Sequence, residues 1–326
     1  MGTSGLTVVA FGEALWDLLP TGPVLGGAVL NFAYRINSLG MKSPGMQSQG
    51  DRAILVSRLG RDELGEKARD LLENLGMETE FIQWDDEYPT GTVQVELDSD
   101  GKPDFTIIEN VAYDYIRPTD RTRELVRTAE CLCFGTLAQR TETSRTTLMS
   151  LLAEFNGPYV FLDINLRRNC YSEETVLASI ARANILKLNE DEAPVVSEMI
   201  GLPWKSIPDF AESIIAKTSL LYCVVTLGPL GVFAASSEGK MVYLPTFQVN
   251  IEDTVGSGDA FSAGFLRSLL QEQSLPEACM FGNALGALVA GQKGATQKVS
   301  VNEIRELMAR GKPGRMEPRL ETFLYR

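Results

Sequence analysis

The sequence predicts an α/β fold with a mostly parallel central sheet and helices on both faces. Short apolar runs rich in β-branched residues alternate with amphipathic helical segments along most of the chain, the pattern of consecutive βα units. With 326 residues, of which 44 % are hydrophobic, the chain is long enough for one large domain, and we take 1–326 as that domain. Ligand sites in such sheets lie at the carboxyl ends of the strands, so we expect the functional residues there.

The first elements show the alternation. Thr7–Gly12 has the composition of a buried strand, and a loop rich in proline and glycine is expected at 20–23. Gly26-Gly27-Ala28 opens a helix over Leu30–Leu39 that ends at Gly40. Further strands are predicted at Ala53–Gly60, Phe81–Asp85, Cys131–Leu137, Tyr159–Asn165, Ile185–Asn189, Tyr222–Leu227 and Gly231–Ser236. Further helices are predicted at Asp62–Leu75, Ser144–Phe155, Glu173–Ala183, Glu190–Ile200, Asp209–Lys217 and Val301–Ala309, with two apolar helices after Asp259 that separate near Ser274–Pro276.

A β-hairpin interrupts this alternation. Gly91–Leu97 alternates strictly between apolar and polar residues, Asp100-Gly101 is a tight-turn signal, and Phe105–Ile108 returns. The apolar face of its first strand must cover something, because a two-stranded ribbon is not stable alone in water. We therefore predict a small β insertion built from about 15–25 and 90–112.

Composition excludes several classes of function. The formal net charge of −13 argues against a nucleic-acid surface and against an anionic membrane as partner. The five cysteines lack a Cys-x-x-Cys spacing and no secretory signal is visible, which favours a cytoplasmic protein. The chain contains no histidine, so Ser-His-Asp hydrolysis, Cys-His proteolysis and His-based zinc sites are excluded.

The stretch Asp253–Phe261 carries the main chemical signal. It reads Asp-Thr-Val-Gly-Ser-Gly-Asp-Ala-Phe and precedes an apolar helical pattern. Small residues at a helix N-terminus expose backbone N–H groups that suit an anion such as phosphate. By itself the stretch is more typical of an ordinary capped helix, so its meaning depends on the motifs that accompany it.

Three motifs follow one another along the chain: Gly-Gly-x-x-x-Asn at Gly26–Asn31, Asn-x-x-Glu at Asn189–Glu192, and Gly-x-Gly-Asp at Gly256–Asp259. In this order they resemble the ribokinase-like (PfkB) carbohydrate kinases, and the chain is most similar to bacterial fructokinases. The resemblance extends from Val8 to about Ala309. It implies a ribokinase-like fold with a small β-sheet lid over a sugar site, and a homodimer formed through that lid is a further expectation.

The resemblance also implies an ATP-dependent phosphotransferase with Mg²⁺, and with K⁺ as a further candidate. Asp259 matches the catalytic base, and Gly256, Ser257 and Gly258 match the backbone anion hole. We expect the helix N-terminus to lower the pKa of Asp259. Asn189 and Glu192 match the pair that holds Mg²⁺ through water; the alternative is a solvated acidic helix start.

Other positions match the two substrate sites and a cation site. The sugar-binding positions are Asp17, Gly26, Gly27, Asn31 and Arg167. The nucleotide-binding positions are Asn189, Thr226, Gly228, Gly231 and Asn283. The monovalent-cation positions are Asp253 and Gly294.

The sequence departs from the family pattern near the sugar site. Val29-Leu30 replaces the usual Pro-Ala, the following helix carries Phe32, Tyr34 and Arg35, and Trp16 is expected at the rim of the sugar pocket. These changes leave the substrate open, so fructose is expected, with ribose, 2-keto-3-deoxygluconate and nucleosides as alternatives. A catalytically silent nucleotide or sugar sensor is a rival from another class. A dinucleotide-binding oxidoreductase is disfavoured because Gly12 is followed by Glu13-Ala14.

Overall fold

The computed structural model describes residues 5–40, 52–97 and 103–325. Within these ranges the chain contains strands β1 Thr7–Phe11, β2 Leu15–Leu19, β3 Gly22–Gly26, β4 Arg52–Gly60, β5 Ile82–Asp85, β6 Gly91–Leu97, β7 Pro103–Ile107, β8 Cys131–Phe134, β9 Tyr159–Asp163, β10 Ile185–Asn189, β11 Tyr222–Thr226, β12 Val232–Ser236 and β13 Met241–Leu244. The α-helices are α1 Ala28–Ser38, α2 Glu63–Asn74, α3 Asp120–Arg127, α4 Glu142–Glu154, α5 Glu173–Arg182, α6 Glu192–Met199, α7 Ile207–Lys217, α8 Ser257–Leu270, α9 Leu275–Ala290 and α10 Val301–Arg310.

The central sheet has nine strands among the described residues, in the order β13-β12-β11-β10-β9-β8-β1-β4-β5. The strands from β11 to β5 run parallel, and β12 and β13 add an antiparallel edge. This confirms the predicted fold class. Because β9, β10 and β11 are neighbours and parallel, Asp163, Asn189 and Thr226 all lie at one edge of the sheet.

Helix boundaries follow local capping chemistry. Asp62, at the N-cap of α2, accepts a hydrogen bond from the backbone N–H of Gly65, and Ser172 and Ser206 cap α5 and α7 in the same way. The helix α1 ends before Gly40, whose φ of +51° is the left-handed conformation expected there. Helix α3 and strand β13 were not predicted. None of the helices in the described ranges is long and apolar enough to cross a membrane.

A second, four-stranded sheet has the order β3-β2-β6-β7. Strands β2 and β6 run parallel, while β3 and β7 pair antiparallel at the two edges. The loop predicted at 20–23 is wrong in part, because only residues 20 and 21 form a turn and Gly22 and Pro23 belong to β3. Proline is tolerated there because β3 is an edge strand.

The hairpin formed by β6 and β7 contacts the hydrophobic core. Val93 is 6 % exposed and belongs to the main hydrophobic core, with the half-buried Ile107 packed against it. The predicted turn at Asp100-Gly101 lies outside the described residues, as do the side chains of Val95 and Leu97.

A buried ion pair attaches the end of this hairpin to the body of the protein. Arg140 donates from Nε and Nη2 to the two carboxylate oxygens of Asp114, over 2.7 and 2.8 Å, and from Nη2 to the carbonyl of Ile108, over 2.6 Å. The side chains of Arg140 and Asp114 are 7 and 0 % exposed. The segment that follows β7 is therefore held by a charge pair from which water is excluded.

We expect Arg140→Met to destabilise the protein by about 3–5 kcal/mol, because it leaves the Asp114 carboxylate buried without its partner. The matched control is Lys67→Met, which breaks an exposed pair with Glu63 and should cost less than about 1 kcal/mol. Urea denaturation of both variants at pH 7 measures these differences. Equal costs in the two variants would contradict a structural role for the buried pair.

Candidate active site

The N-terminus of α8 is built to expose backbone N–H groups. Gly256 adopts the left-handed conformation at the N-cap, with φ +74°, and a Cβ there would lie 2.4 Å from the Cβ of Ala295. The first-turn N–H groups of Gly258 and Asp259 have no intrahelical acceptor by geometry. The Ser257 hydroxyl donates to the carbonyl of Gly286, over 3.0 Å, so it ties α8 to α9 and leaves the anion hole to the backbone.

Asp259 lies in this first turn and is half-buried. Its Oδ2 accepts a hydrogen bond from Nδ2 of Asn31, over 2.8 Å, which joins α8 to α1. Burial and the nearby charge of Asp163 raise the pKa of Asp259 to about 7, although Asn31, Lys187 and Arg167 act in the opposite direction. The expected lowering of this pKa was wrong, because desolvation outweighs the helix N-terminus.

A second ion pair lies directly behind this turn. Lys187 Nζ donates to Asp163 Oδ1 over 2.9 Å, and both residues are 5 % exposed. A Cβ at Gly258 would lie 3.4 Å from that ammonium nitrogen. Burial lowers the pKa of Lys187, but the charges of Asp163 and Glu192 outweigh it and the pKa ends above its usual value. The site therefore holds a fixed positive charge beneath the anion hole.

The predicted sugar-site glycines lie where the small sheet joins α1. A Cβ at Gly26 would lie 3.1 Å from Asp17 Oδ2, and one at Gly27, where φ is +125°, would lie 2.5 Å from the Glu13 carbonyl oxygen. Glu13 Oε1 accepts the backbone N–H of Ala28, over 2.9 Å, and so caps α1. The glycines are thus required by close packing, and the buried Glu13 carboxylate fixes the turn.

Asn31 and Arg167 complete the polar groups on this side. Asn31 is 4 % exposed, and its Oδ1 has no hydrogen-bond partner among the described residues. Arg167 is exposed, and its charge lowers the pKa values of Glu13, Asp17 and Asp259. Burial has the larger effect on each of these three carboxyl groups, so their pKa values are raised despite Arg167. A single arginine therefore lies within electrostatic reach of three carboxylates.

Trp16 does not lie at the pocket rim as expected. Its side chain is 4 % exposed in the hydrophobic core, and its indole N–H donates to the carbonyl of Leu64, over 3.0 Å. Side chains alternate along a strand, so Trp16 and Asp17 face opposite sides of β2. Phe32, Tyr34 and Arg35 are likewise buried and belong to the packing of α1.

Arg35 supports the N-cap of α8, where the anion hole is predicted. It is 0 % exposed and donates to the carbonyls of Ala295 and Gln297. Ala295 is the residue that packs against Gly256. The buried guanidinium therefore fixes the loop after α9 against the N-cap of α8.

The Asn-x-x-Glu motif forms a closed set of hydrogen bonds. Asn189 Oδ1 accepts the N–H groups of Asp191 and Glu192, and Glu192 accepts the N–H groups of Asn189 and Leu166, at 2.8–2.9 Å. Glu192 is 8 % exposed, so it is not a solvated side chain. Burial raises the pKa of Glu192, opposed by Lys187 and by these N–H groups. The motif joins the ends of β9 and β10.

The side-chain oxygens of Asn189 and Glu192 suit a hydrated divalent cation better than a directly bound one. The described residues contain no group of three or more His, Cys, Asp or Glu side chains that could hold a metal ion. Mg²⁺ keeps several waters and binds through one or two carboxylates together with substrate phosphates. Asn189 and Glu192 fit that outer-shell role, because their oxygens are already oriented by backbone N–H groups.

A cleft of about 800 Å³ extends from the anion hole along α9. Its lining includes the predicted nucleotide positions Thr226, Gly228, Gly231 and Asn283, together with Ser257 and Gly258. Asn283 donates to the carbonyls of Leu244 and Pro245, so its amide is satisfied by the protein and also borders the cleft. Asn189, the remaining nucleotide position, does not line this cleft.

Asp253 and Gly294 are brought together as predicted for a cation site. Asp253 Oδ2 accepts the N–H of Gly294, over 3.1 Å, and Oδ1 accepts that of Val255, over 3.0 Å. Gly294 has φ +82°. Both carboxylate oxygens therefore already hold backbone N–H groups.

Several site residues were not singled out from the sequence. Asp163 and Lys187 could have been, because a charge within or at the end of an apolar strand is costly to bury unless it is paired. The outer wall of the cleft, which includes residues 246–251, Gly314 and Arg315, carries no comparable signal in the sequence.

Comparison with known proteins identifies relatives over nearly the whole chain. The sequence profile described as pfkB family carbohydrate kinase matches residues 23–302. A probable fructokinase-3 of Arabidopsis thaliana is 30 % identical over 323 residues, which cover 90 % of this chain and 88 % of the relative.

Solved structures show the same fold. A sugar kinase of Pyrococcus horikoshii in complex with ATP has a TM-score of 0.74 and 27 % identity, covering 93 % of this chain and 100 % of that one. A fructokinase double mutant of Vibrio cholerae with bound fructose, ADP and potassium ion has a TM-score of 0.77 and 24 % identity, covering 94 and 100 %.

Asp259→Asn should lower kcat by roughly 10²–10⁴, the range of a general base, with little change in nucleotide affinity. It should also stabilise the protein at high pH. Folding raises the pKa of this carboxyl group. The folded protein therefore loses stability as the pH rises from the pKa of the unfolded state through the folded-state pKa of about 7.

The stability of wild type and variant, measured by urea denaturation from pH 4 to pH 8, should therefore diverge as the pH increases, in favour of the variant. Near-wild-type turnover would rule out Asp259 as the base. A pH-independent stability difference would instead contradict the raised pKa.

Proposed function

The chain belongs to the pfkB family of carbohydrate kinases, and we propose that it transfers the γ-phosphoryl group of ATP to a hydroxymethyl group of free fructose. One observation carries the proposal: the Asp259 carboxylate, joined to Asn31, lies in the first turn of α8 next to a cleft of nucleotide size. The 30 % identical relative is a probable fructokinase, which favours fructose among the sugars.

The reaction uses Asp259 as the acceptor of the sugar proton. The sugar oxygen bonds to the γ-phosphorus while the bond from that phosphorus to the β–γ bridging oxygen breaks, and ADP leaves. The backbone N–H groups at Gly258 and Asp259 stabilise negative charge on the transferring group. A pKa near 7 suits a base that must accept a proton and release it again around neutral pH.

Sugar recognition is assigned to the groups around Asn31. Its free Oδ1 is an acceptor for a sugar hydroxyl, and Asp17 accepts from another. The absence of a side chain at Gly26 leaves Asp17 uncovered, because a Cβ there would lie 3.1 Å from Asp17 Oδ2, and Gly27 allows the tight turn beside it. Arg167 balances the negative charge of Asp17 and Asp259 at the open side of the site.

The cleft is assigned to ATP, as the ATP complex of the 27 % identical Pyrococcus horikoshii kinase supports. Mg²⁺, held through water by Asn189 and Glu192, would neutralise charge on the nucleotide phosphates. Asp253 and Gly294 are the candidates for a K⁺ site, in line with the potassium ion bound to the Vibrio cholerae fructokinase of the same fold. The oxygens of Asp253 orient the surrounding backbone in this assignment.

We assign the protein to the cytoplasm because all five cysteines are free and buried, as expected in a reducing compartment.

The edge strand β3, where Val24 is 39 % exposed, is the surface proposed for a homodimer.

Coupled ADP release over a panel of fructose, ribose, 2-keto-3-deoxygluconate and nucleosides tests the substrate. We expect fructose to give the highest kcat/KM, and Asn31→Leu to raise the fructose KM and lower kcat, since it removes both the sugar acceptor and the bond to Asp259. The control is Asn156→Leu, at an exposed asparagine that follows the end of α4. Sugar binding without ADP release in the wild type would instead indicate a silent sensor.

The four-stranded sheet is proposed as a lid over the sugar. Asp17 lies on β2, between β3 and β6, so the sheet carries a sugar-binding group. Replacing 94–106 by a short Gly/Ser linker keeps the buried Val93 and the packed Ile107. We expect the fructose KM to rise strongly and the ATP KM little, with sugar-independent ATP hydrolysis increased because water enters. A folded variant with an unchanged fructose KM would show that the hairpin is not a lid.

A further inference from the structure

Three buried polar side chains meet behind the first turn of α8. Lys187 on β10 donates to Asp163 Oδ1, over 2.9 Å, and Ser262 on α8 donates to Asp163 Oδ2, over 2.7 Å. Lys187 and Asp163 are also direct register partners in the sheet. The carboxylate of Asp163 thus uses both oxygens to join two strands to the helix that carries Asp259.

Burial holds these three side chains in one arrangement. Lys187 and Asp163 are 5 % exposed and Ser262 is 0 % exposed, so none of the three can exchange its partner for bulk water. Ser262 lies one turn after Gly258 and also contacts the Gly258 carbonyl, over 3.1 Å. Displacement of the α8 N-terminus would break bonds that nothing else replaces.

Charged and polar groups from several elements surround Asp259. Asp163 on β9 and Lys187 on β10 act on it from the sheet, Asn31 and Arg35 from α1, and Arg167 from the loop after β9. The Cys133 thiol on β8 lies within electrostatic reach of Asp259, and burial holds the pKa of that thiol well above its usual value. Asp163 is the carboxylate in this set that disfavours ionisation of Asp259.

We propose that Lys187, Asp163 and Ser262 form a positioning unit that fixes the first turn of α8 against β9 and β10 and sets the charge balance around Asp259. The unit touches neither sugar nor nucleotide and acts through Asp259 and the Gly258 backbone. The proposal rests on the proposed role of Asp259 as the base.

Asp163→Asn tests the charge half of the proposal. The amide oxygen can still accept from Lys187, so one negative charge is lost with little change in shape. Without that charge the pKa of Asp259 should fall, and the acidic limb of kcat/KM against pH should move to lower pH by about one unit or more. Adding Lys187→Met to this variant removes the opposing cation and should move the limb back up.

Ser262→Ala tests the tether. It removes the hydroxyl that joins α8 to Asp163, and we expect kcat to fall about tenfold with the acidic limb unmoved and the ATP KM little changed. The matched control is Ser268→Ala, a buried serine on the same helix whose hydroxyl has no partner within the described residues. Equal kcat values in the two variants would overturn the tether.

A measurement without turnover separates this proposal from the assignment of the reaction. The stability difference between wild type and Asp259→Asn from pH 4 to pH 8 reports the pKa of Asp259 whether or not the protein phosphorylates fructose. When both proteins also carry Asp163→Asn, the stability difference caused by Asp259→Asn should increase less between pH 4 and pH 8. An unchanged pH dependence there, or an acidic limb that stays in place, overturns the proposal. No turnover with any sugar, together with the expected stability shift, would overturn only the proposed function.

Discussion

Ionisation of a carboxylate that the fold largely removes from water is the constraint on which this site depends. Desolvation and then the charge of Asp163 raise the pKa of Asp259, whereas Asn31, Lys187 and Arg167 lower it. The effects that raise the pKa are the larger, so the pKa of the carboxyl group lies at about 7. A fully solvated aspartate would be too weak a base, and one buried without these partners would stay protonated.

The topology explains why these groups meet. Parallel neighbours β9 and β10 place Asp163 and Lys187 side by side, and the residues just beyond their ends supply Arg167 and the Asn189–Glu192 pair. Helix α8 then directs its N-terminus at this edge, and α1 approaches from the small sheet. Each contribution comes from a different element, so the site exists only when the whole sheet has formed.

The sequence predicted the fold well because the apolar βα alternation is a local signal. The bounds of β6 and β10 were predicted correctly. Strands β2 and β3 were obscured by Pro20, Gly22 and Pro23, which are typical of a loop, although only two residues form the turn.

The motif residues are placed together at one sheet edge, but their roles came from a resemblance. The balance at Asp259 could not be predicted, because desolvation depends on which distant residues cover the helix N-terminus. Trp16 was misplaced for a related reason: strand register decides which face a side chain takes.

The bond between Asn31 and Asp259 links recognition to chemistry. Water is a competing acceptor for the same phosphoryl group, and a base that titrates near neutral pH would serve water as readily as a sugar hydroxyl. The Asn31 amide nitrogen donates to Asp259, the proposed base, and the Asn31 Oδ1, which has no partner among the described residues, is the proposed acceptor for the sugar. A sugar that bonds to that oxygen therefore orients the same side chain that orients Asp259. In the proposed assignment a sugar would bond to Asn31 and to Asp17 through separate hydroxyl groups, so a polyhydroxyl substrate would hold both groups at once.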